Sequence, residues 1–245
     1  MASKTYTDEV YRSKKSPKNP IKYQIQLNEE QKQAKQIILD NTITLLAGSA
    51  GSGKTLLACN VALDGLFKRE YDKIIITRPT VSKEEIGFLP GDLREKMDPW
   101  VQPIYQNFYT LYGKDRMQKY FDEDLIEIVP VSFMRGRTFL DSIVIVDEAQ
   151  NVTHEQMEMI ISRLGVRSKM IICGDDYQID LKKKADSGFK FLYNAASKVK
   201  KLAALKLTTN HRDPIVEDLL EYYEEAINKG MSIVTSGSYT YSKKS

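Results

Sequence analysis

One stretch, Gly48-Ser-Ala-Gly-Ser-Gly-Lys-Thr55, narrows the folds open to this chain more than any other feature. It matches the pattern G-x4-G-K-[ST], and its setting supports the match. The apolar run TITLLA precedes it and the helix-forming run KTLLACNVALDGLF follows. A loop between a buried strand and a helix N-terminus is the arrangement that holds phosphate oxygens. Successive backbone N–H groups and the helix end face the anion, and glycines allow the close approach that a Cβ would block. Gly48, Ser49, Ala50, Gly51, Ser52 and Gly53 are the expected cradle. Lys54 supplies a point charge to the β- and γ-phosphates, and Thr55 a hydroxyl to Mg2+.

The rest of the chain fits a sheet built around that loop. Short β-rich apolar runs occur at 42–47, 73–77, 125–129, 142–146, 169–173 and 204–207. Most are continuously apolar rather than alternating, as in central parallel strands covered on both faces. Helical stretches at 54–69, 91–112, 153–163 and 187–199 separate most of them. This alternation predicts an α/β fold, a mostly parallel sheet with helices on both faces. Ahead of the first strand, LNEEQKQAKQIILD predicts a helix with Ala34, Ile37 and Ile38 on one face. Asn28 is its N-cap and Gln31 its third residue, a capping-box pair. Pro214 predicts the start of a final helix over 214–227.

The run Ser142-Ile-Val-Ile-Val-Asp-Glu-Ala149 ends a strand in two acids. Carboxylates at the C-terminal end of a parallel strand lie where open α/β sheets bind ligands. Asp147 is therefore the expected holder of magnesium, together with Thr55. Glu148 is the expected group to orient and deprotonate an attacking water. A guanine-reading Asn-Lys-x-Asp is missing; Asn228-Lys229-Gly230 comes nearest and lacks the acid. Hydrolysis of ATP with Mg2+ is the reaction these residues favour. An ATPase serving assembly or regulation, and a small-molecule kinase, are the alternatives.

Composition bounds the setting. Hydrophobic residues make up 42% and charged residues 28%, a balance that suits a packed core with a solvated surface. No apolar run approaches the roughly 20 residues that span a bilayer. The opening MASKTYTDEVYRSKKS lacks the apolar block of a secretory signal, so a cytoplasmic location is expected. Residues 1–22 carry six Lys/Arg against two acids, which reads as a basic arm over 1–24. The domain is expected over 25–230, followed by a Ser/Thr/Tyr-rich tail over 231–245. Cys59 and Cys173 lie inside apolar runs and read as buried thiols. Two histidines are too few for a zinc cluster.

Further blocks carry a specific likeness. Ile76-Thr-Arg-Pro-Thr80, Gly87-Phe-Leu-Pro-Gly-Asp-Leu93, Phe133-Met-Arg-Gly-Arg-Thr-Phe139, Val146-Asp-Glu-Ala-Gln-Asn151 and Gly174-Asp-Asp-Tyr-Gln-Ile-Asp-Leu181 resemble the PhoH family, over about 27–225. The resemblance implies a RecA-like P-loop ATPase domain, related to the first motor domain of superfamily 1 helicases. It implies that Gln31 hydrogen-bonds adenine and that Gln178 senses the γ-phosphate. It also implies that Arg212, in Asn210-His-Arg212, contacts the γ-phosphate; His211 replaces the usual Tyr or Phe.

The resemblance further implies binding of single-stranded RNA or DNA. Arg78, Lys83, Arg135, Arg137 and Lys182, Lys183 and Lys184 follow strand ends or lie in neighbouring loops, where phosphates would bind. Tyr105, Phe108, Tyr109 and Tyr112 recur at helical spacing, which more often means packing than base stacking. No second motor domain is expected after residue 230. A homo-hexameric ring, with ATP between subunits and Arg135 or Arg137 reaching across in trans, is the expected assembly.

Overall fold

A computed structural model of the protein describes residues 23, 25–79, 93–175, 178–211, 213–216, 218–219 and 222–223, with backbone alone for 93–100. Six strands form one sheet: β1 (Ile43–Ala47), β2 (Lys73–Thr77), β3 (Ile126–Ile128), β4 (Ser142–Val146), β5 (Lys169–Gly174) and β6 (Leu202–Lys206). Their order is β3-β2-β4-β5-β1-β6, and every adjacent pair is parallel. The helices are α1 (Glu29–Asp40), α2 (Lys54–Phe67), α3 (Leu93–Tyr112), α4 (Lys114–Asp122), α5 (His154–Ile161) and α6 (Gly188–Ala195).

The pleat sorts the apolar strands into two cores. Leu46, Ile74, Ile76, Ile143, Ile145 and Ile171 meet Ala34, Leu57, Ile104, Phe108 and Met117 from α1 to α4. Their neighbours Leu45, Ile75, Val144, Val146, Met170 and Ile172 face Met157, Ile160 and Phe189 from α5 and α6. Because both faces are covered, the strands read as unbroken apolar runs. The result is the three-layer α/β/α fold that the sequence predicts.

Several local expectations are met. Asn28 and Gln31 close a capping box at the start of α1: the Gln31 N–H donates to Asn28 Oδ1 at 2.8 Å, and the Asn28 N–H to Gln31 Oε1 at 3.2 Å. The buried stripe of α1 is Gln31, Ala34 and Ile38, so Ile37 lies at its margin, 38% exposed. Cys59 and Cys173 are buried free thiols. The aromatic stripe of α3 is packing: Phe108 is fully buried, Tyr105 stacks on Tyr109, and Phe121 meets both edge-on. Tyr112 packs against Phe67. Helix α4 has no counterpart in the sequence reading; its nine residues include only three large apolar ones, Met117, Tyr120 and Phe121.

Of the second unit, which begins at His211, residues 214–216, 218–219 and 222–223 are helical. Among the described residues no helix is long and apolar enough to cross a membrane.

Candidate functional site

The site is assembled at the C-terminal ends of the strands, where an open parallel sheet leaves loops free to diverge. β1 runs into the glycine loop, β2 into Arg78, β4 into Asp147 and Glu148, and β5 into Asp175 and Gln178. The parallel register sets these groups side by side. Thr77 pairs with Val146, and the Asp147 N–H donates to the Thr77 carbonyl at 2.8 Å.

Two glycines of the loop answer to geometry. Gly48 has φ +151°, and a Cβ there would meet the Leu207 carbonyl oxygen and Ser52 Oγ at 2.7 Å. Gly53 caps α2 in the left-handed region, φ 79°, which turns the loop into the helix. Lys54 lies back over the loop, its Nζ donating to the carbonyl oxygens of Gly48 (2.7 Å) and Ser49 (2.8 Å). Ser52 Oγ, buried, donates to the Ser49 carbonyl at 2.9 Å.

Thr55 and Asp147, 92 residues apart in the chain, meet directly: Thr55 Oγ1 donates to Asp147 Oδ1 at 2.7 Å. Asp147 is buried, and burial pushes its carboxyl above the usual range. The neighbouring Glu148 charge pushes the same way, while Thr55 and Arg78 pull against it. A buried carboxylate short of compensating charge, beside a hydroxyl, offers hard oxygen donors of the kind Mg2+ takes. Glu148 stands at φ 49°, left-handed for a residue with a side chain. Such strain costs on the order of 1 kcal/mol and gathers at functional positions.

Two residues complete this centre that the sequence reading did not place there. Arg78, foreseen only as part of a basic surface, lies 4.0 Å from Asp147 Oδ2 and 3.6 Å from Glu148 Oε1. Gln150, buried, donates from Nε2 to Glu148 Oε2 at 2.6 Å and accepts the Asp175 N–H at 3.0 Å. Its backbone carbonyl accepts Ser187 Oγ at 2.8 Å. Asn151 and Asp180 add a reciprocal pair: Asn151 Nδ2 donates to Asp180 Oδ2 at 3.1 Å, and the Asp180 N–H to Asn151 Oδ1 at 2.8 Å. The loop after β5 is thereby fastened to the loop after β4, and Gln178 sits exposed between those two ties.

Other expected site residues are distributed around this centre. Gln31 is buried at the start of α1. Next to it, Glu30 accepts from the Thr208 N–H (2.7 Å), the Thr208 hydroxyl (2.8 Å) and the Thr209 N–H (3.1 Å). That tie holds α1 to the segment after β6, beside Leu207, whose N–H donates to Ala47 just before the glycine loop. Arg137 is engaged within its own chain, bidentate to Glu127 at 2.7 and 2.8 Å and stacked over Phe139. Arg135 and Lys182, Lys183 and Lys184 are exposed. Arg212, Lys83 and the 87–92 part of the Gly-Phe-Leu-Pro-Gly-Asp block lie outside the described residues.

The Glu30 tie has a pH signature. Burial alone would raise its carboxyl, but the Thr208 and Thr209 donors hold the charged form and bring it down to about 2. A carboxyl depressed on folding stabilises above its unfolded value, ordinarily about 4.3, and loses that stability as pH falls toward the folded value. The urea midpoint of wild type should exceed that of Glu30→Gln by a constant margin above about pH 5.5, narrowing steadily below about pH 4.5. A margin that stays constant down to pH 3 would show that the carboxylate charge contributes nothing.

Comparison with known proteins agrees with this picture. A family model described as PhoH-like protein matches residues 24–224. A PhoH-like protein of Synechocystis is 39% identical over 201 residues, covering 81% of this chain and 61% of that one. A PhoH-like protein of Bacillus subtilis is 42% identical over 188 residues, covering 76% and 59%. The chain thus spans about three-fifths of the length of these relatives. Among solved structures, the large terminase of a thermophilic bacteriophage overlays 80% of this chain and 50% of its own with a TM-score of 0.50. At 13% identity that likeness is one of fold alone. With its strand order, its glycine loop and a family match across most of its length, the chain belongs to the PhoH family.

Proposed function

We propose that this protein hydrolyses ATP with Mg2+ at the loop between β1 and α2, and couples that hydrolysis to binding or remodelling single-stranded RNA or DNA. The observation that carries the ATPase reading is the 2.7 Å bond from Thr55 to Asp147, which joins the phosphate loop to the acidic pair. In this reading the N–H groups of 48–55 and the α2 N-terminus receive the β-phosphate. Lys54 exchanges the Gly48 and Ser49 carbonyls for phosphate oxygens, stronger acceptors for a cation. Thr55 and Asp147 would hold the magnesium, which when bound neutralises charge on the β- and γ-phosphates. Glu148 orients the attacking water and takes its proton, while Gln150 fixes the carboxylate's rotation through Oε2. Gln31 and Arg212 are assigned to adenine and to the γ-phosphate on the family likeness. Gln178, on the loop tied to Asn151 and Gln150, is assigned to relay the γ-phosphate state to that loop.

The assembly proposed with this reading is a homo-hexameric ring in which a neighbour's arginine completes the site. Arg135 suits that reach better than Arg137, which the Glu127 pair restrains.

The coupling is tested by ATPase rates with single-stranded RNA, with single-stranded DNA and with neither. Stimulation should weaken as salt rises, because bound phosphates release counterions. Replacing Lys182, Lys183 and Lys184 together by Gln should flatten the slope of log affinity against log salt by about 2–3. An unchanged slope would move the strand to another surface. ATPase activity indifferent to every polynucleotide would favour an assembly or regulatory ATPase instead.

A further inference from the structure

We infer that Arg78 is a latch on the acidic pair: without a polynucleotide its guanidinium occupies Asp147 and Glu148 and holds hydrolysis down, and a strand phosphodiester draws it away. The inference rests on the ATPase reading above and concerns how the same site is regulated.

The four carboxylate oxygens of the pair divide between two sides. Asp147 Oδ1 takes the Thr55 hydroxyl, from the phosphate-loop side. Glu148 Oε2 takes Gln150. The remaining two, Asp147 Oδ2 and Glu148 Oε1, both face Arg78, at 4.0 and 3.6 Å. The sheet order explains the direction of approach. β5 separates β4 from β1, so the phosphate loop lies on one side of the acids and β2, with Arg78, on the other. Arg78 therefore reaches the pair from the side away from the phosphate loop. The segment that follows β3 and carries the exposed Arg135 leaves the sheet on that same side.

With Oε1 turned toward the guanidinium and Oε2 held by Gln150, the Glu148 carboxylate is not presented to an attacking water. The pair is open to competition. The Arg78 side chain is 22% exposed and that of Glu148 40% exposed, and the 3.6 Å separation is an ion pair rather than a short bidentate fork. A phosphodiester can offer the planar guanidinium two parallel bonds, which Glu148 does not do here. Pro79 follows Arg78 and restricts its backbone to extended conformations, so exchange means swinging the side chain rather than refolding the strand end. Arg78 in this account is a positioning residue that acts through Glu148.

The test measures basal and single-strand-stimulated ATPase, and strand affinity, for wild type, Arg78→Gln and Arg78→Lys, with thermal unfolding to establish that each variant folds. Arg78→Gln should raise the basal rate about five-fold, the scale of a partly exposed ion pair. Its stimulation should fall below about two-fold, and its strand affinity should drop by less than the loss of one phosphate contact among several. Arg78→Lys, which keeps charge without the fork, should fall between the two. A basal rate that drops in both variants while the stimulation ratio survives would overturn the latch, since Arg78 would then serve the ATP phosphates. A wild type that hydrolyses ATP but is stimulated by no polynucleotide would overturn it too. A wild type that hydrolyses no ATP would instead bring down the ATPase reading on which the latch stands.

Discussion

Lys54→Ala should cost at least about 100-fold in ATP turnover, the scale seen when one preorganised electrostatic contact to a reacting group is removed. The expectation follows from where the ammonium sits. Lys54 opens α2 directly after Gly53 and donates to two carbonyls of the loop it would share with the phosphates. Removing it takes away a cation that stays beside the transferring group throughout the reaction. It also frees the Gly48 and Ser49 carbonyls to point at an incoming anion, which should weaken nucleotide affinity as well as the rate. Equilibrium binding of a slowly hydrolysed ATP analogue, measured beside turnover, separates the two effects. Normal turnover by a folded Lys54→Ala protein would remove the glycine loop from the account.

Glu148→Gln should leave nucleotide and magnesium binding near wild type and reduce turnover by about 100-fold or more, as when a positioned base is lost. The amide is nearly isosteric, but it cannot accept a proton from water at neutral pH. Its oxygen can keep the bond from Gln150 Nε2, which now reaches Glu148 Oε2 at 2.6 Å, and its NH2 would then face Arg78. The Gln150 side chain cannot rotate freely in response, because its Oε1 holds the Asp175 N–H. Asp147→Asn should give the opposite pattern, with magnesium-dependent nucleotide binding failing first. The contrast between these neighbours is the informative result. Equal losses of binding in both variants would mean that the strand end tolerates neither amide, and would say nothing of a base.

Much of this arrangement can be read from the chain alone. Buried parallel strands leave long apolar runs, and β2 and β4 lie where those runs predict, at 73–77 and 142–146. Asn28 and Gln31 announce a helix start because a capping box is chemistry of four consecutive residues. Asp147 and Glu148 stand out because acids seldom follow an unbroken apolar strand without a reason. Helix α4 was not legible: its nine residues carry only Met117, Tyr120 and Phe121 as large apolar side chains, too short a run for a helical period to stand out.

The larger gaps concern Arg78 and Gln150, whose roles depend on strand adjacency. Arg78 meets residues 69 and 70 positions later in the chain because β2 pairs with β4 and Thr77 registers against Val146. A signal did exist: an arginine directly after one strand and an acid directly after another become neighbours if the two strands pair in parallel. Gln150 lies only two residues past Glu148, yet its partner Asp175 belongs to the end of β5. Arg137 shows the converse. Its position before β4 suggested a residue free to reach outward, but Glu127 on β3 holds it in a bidentate pair.

Everything proposed for this site turns on the γ-phosphate of ATP going to water at Glu148. Single-turnover reactions with γ-labelled ATP and magnesium, run on wild type, Lys54→Ala and Glu148→Gln, follow that phosphate. Wild type should release the label as inorganic phosphate, Glu148→Gln should retain intact ATP, and Lys54→Ala should hold little nucleotide. Label transferred to an acceptor other than water, or released from Glu148→Gln at the wild-type rate, would contradict the proposal.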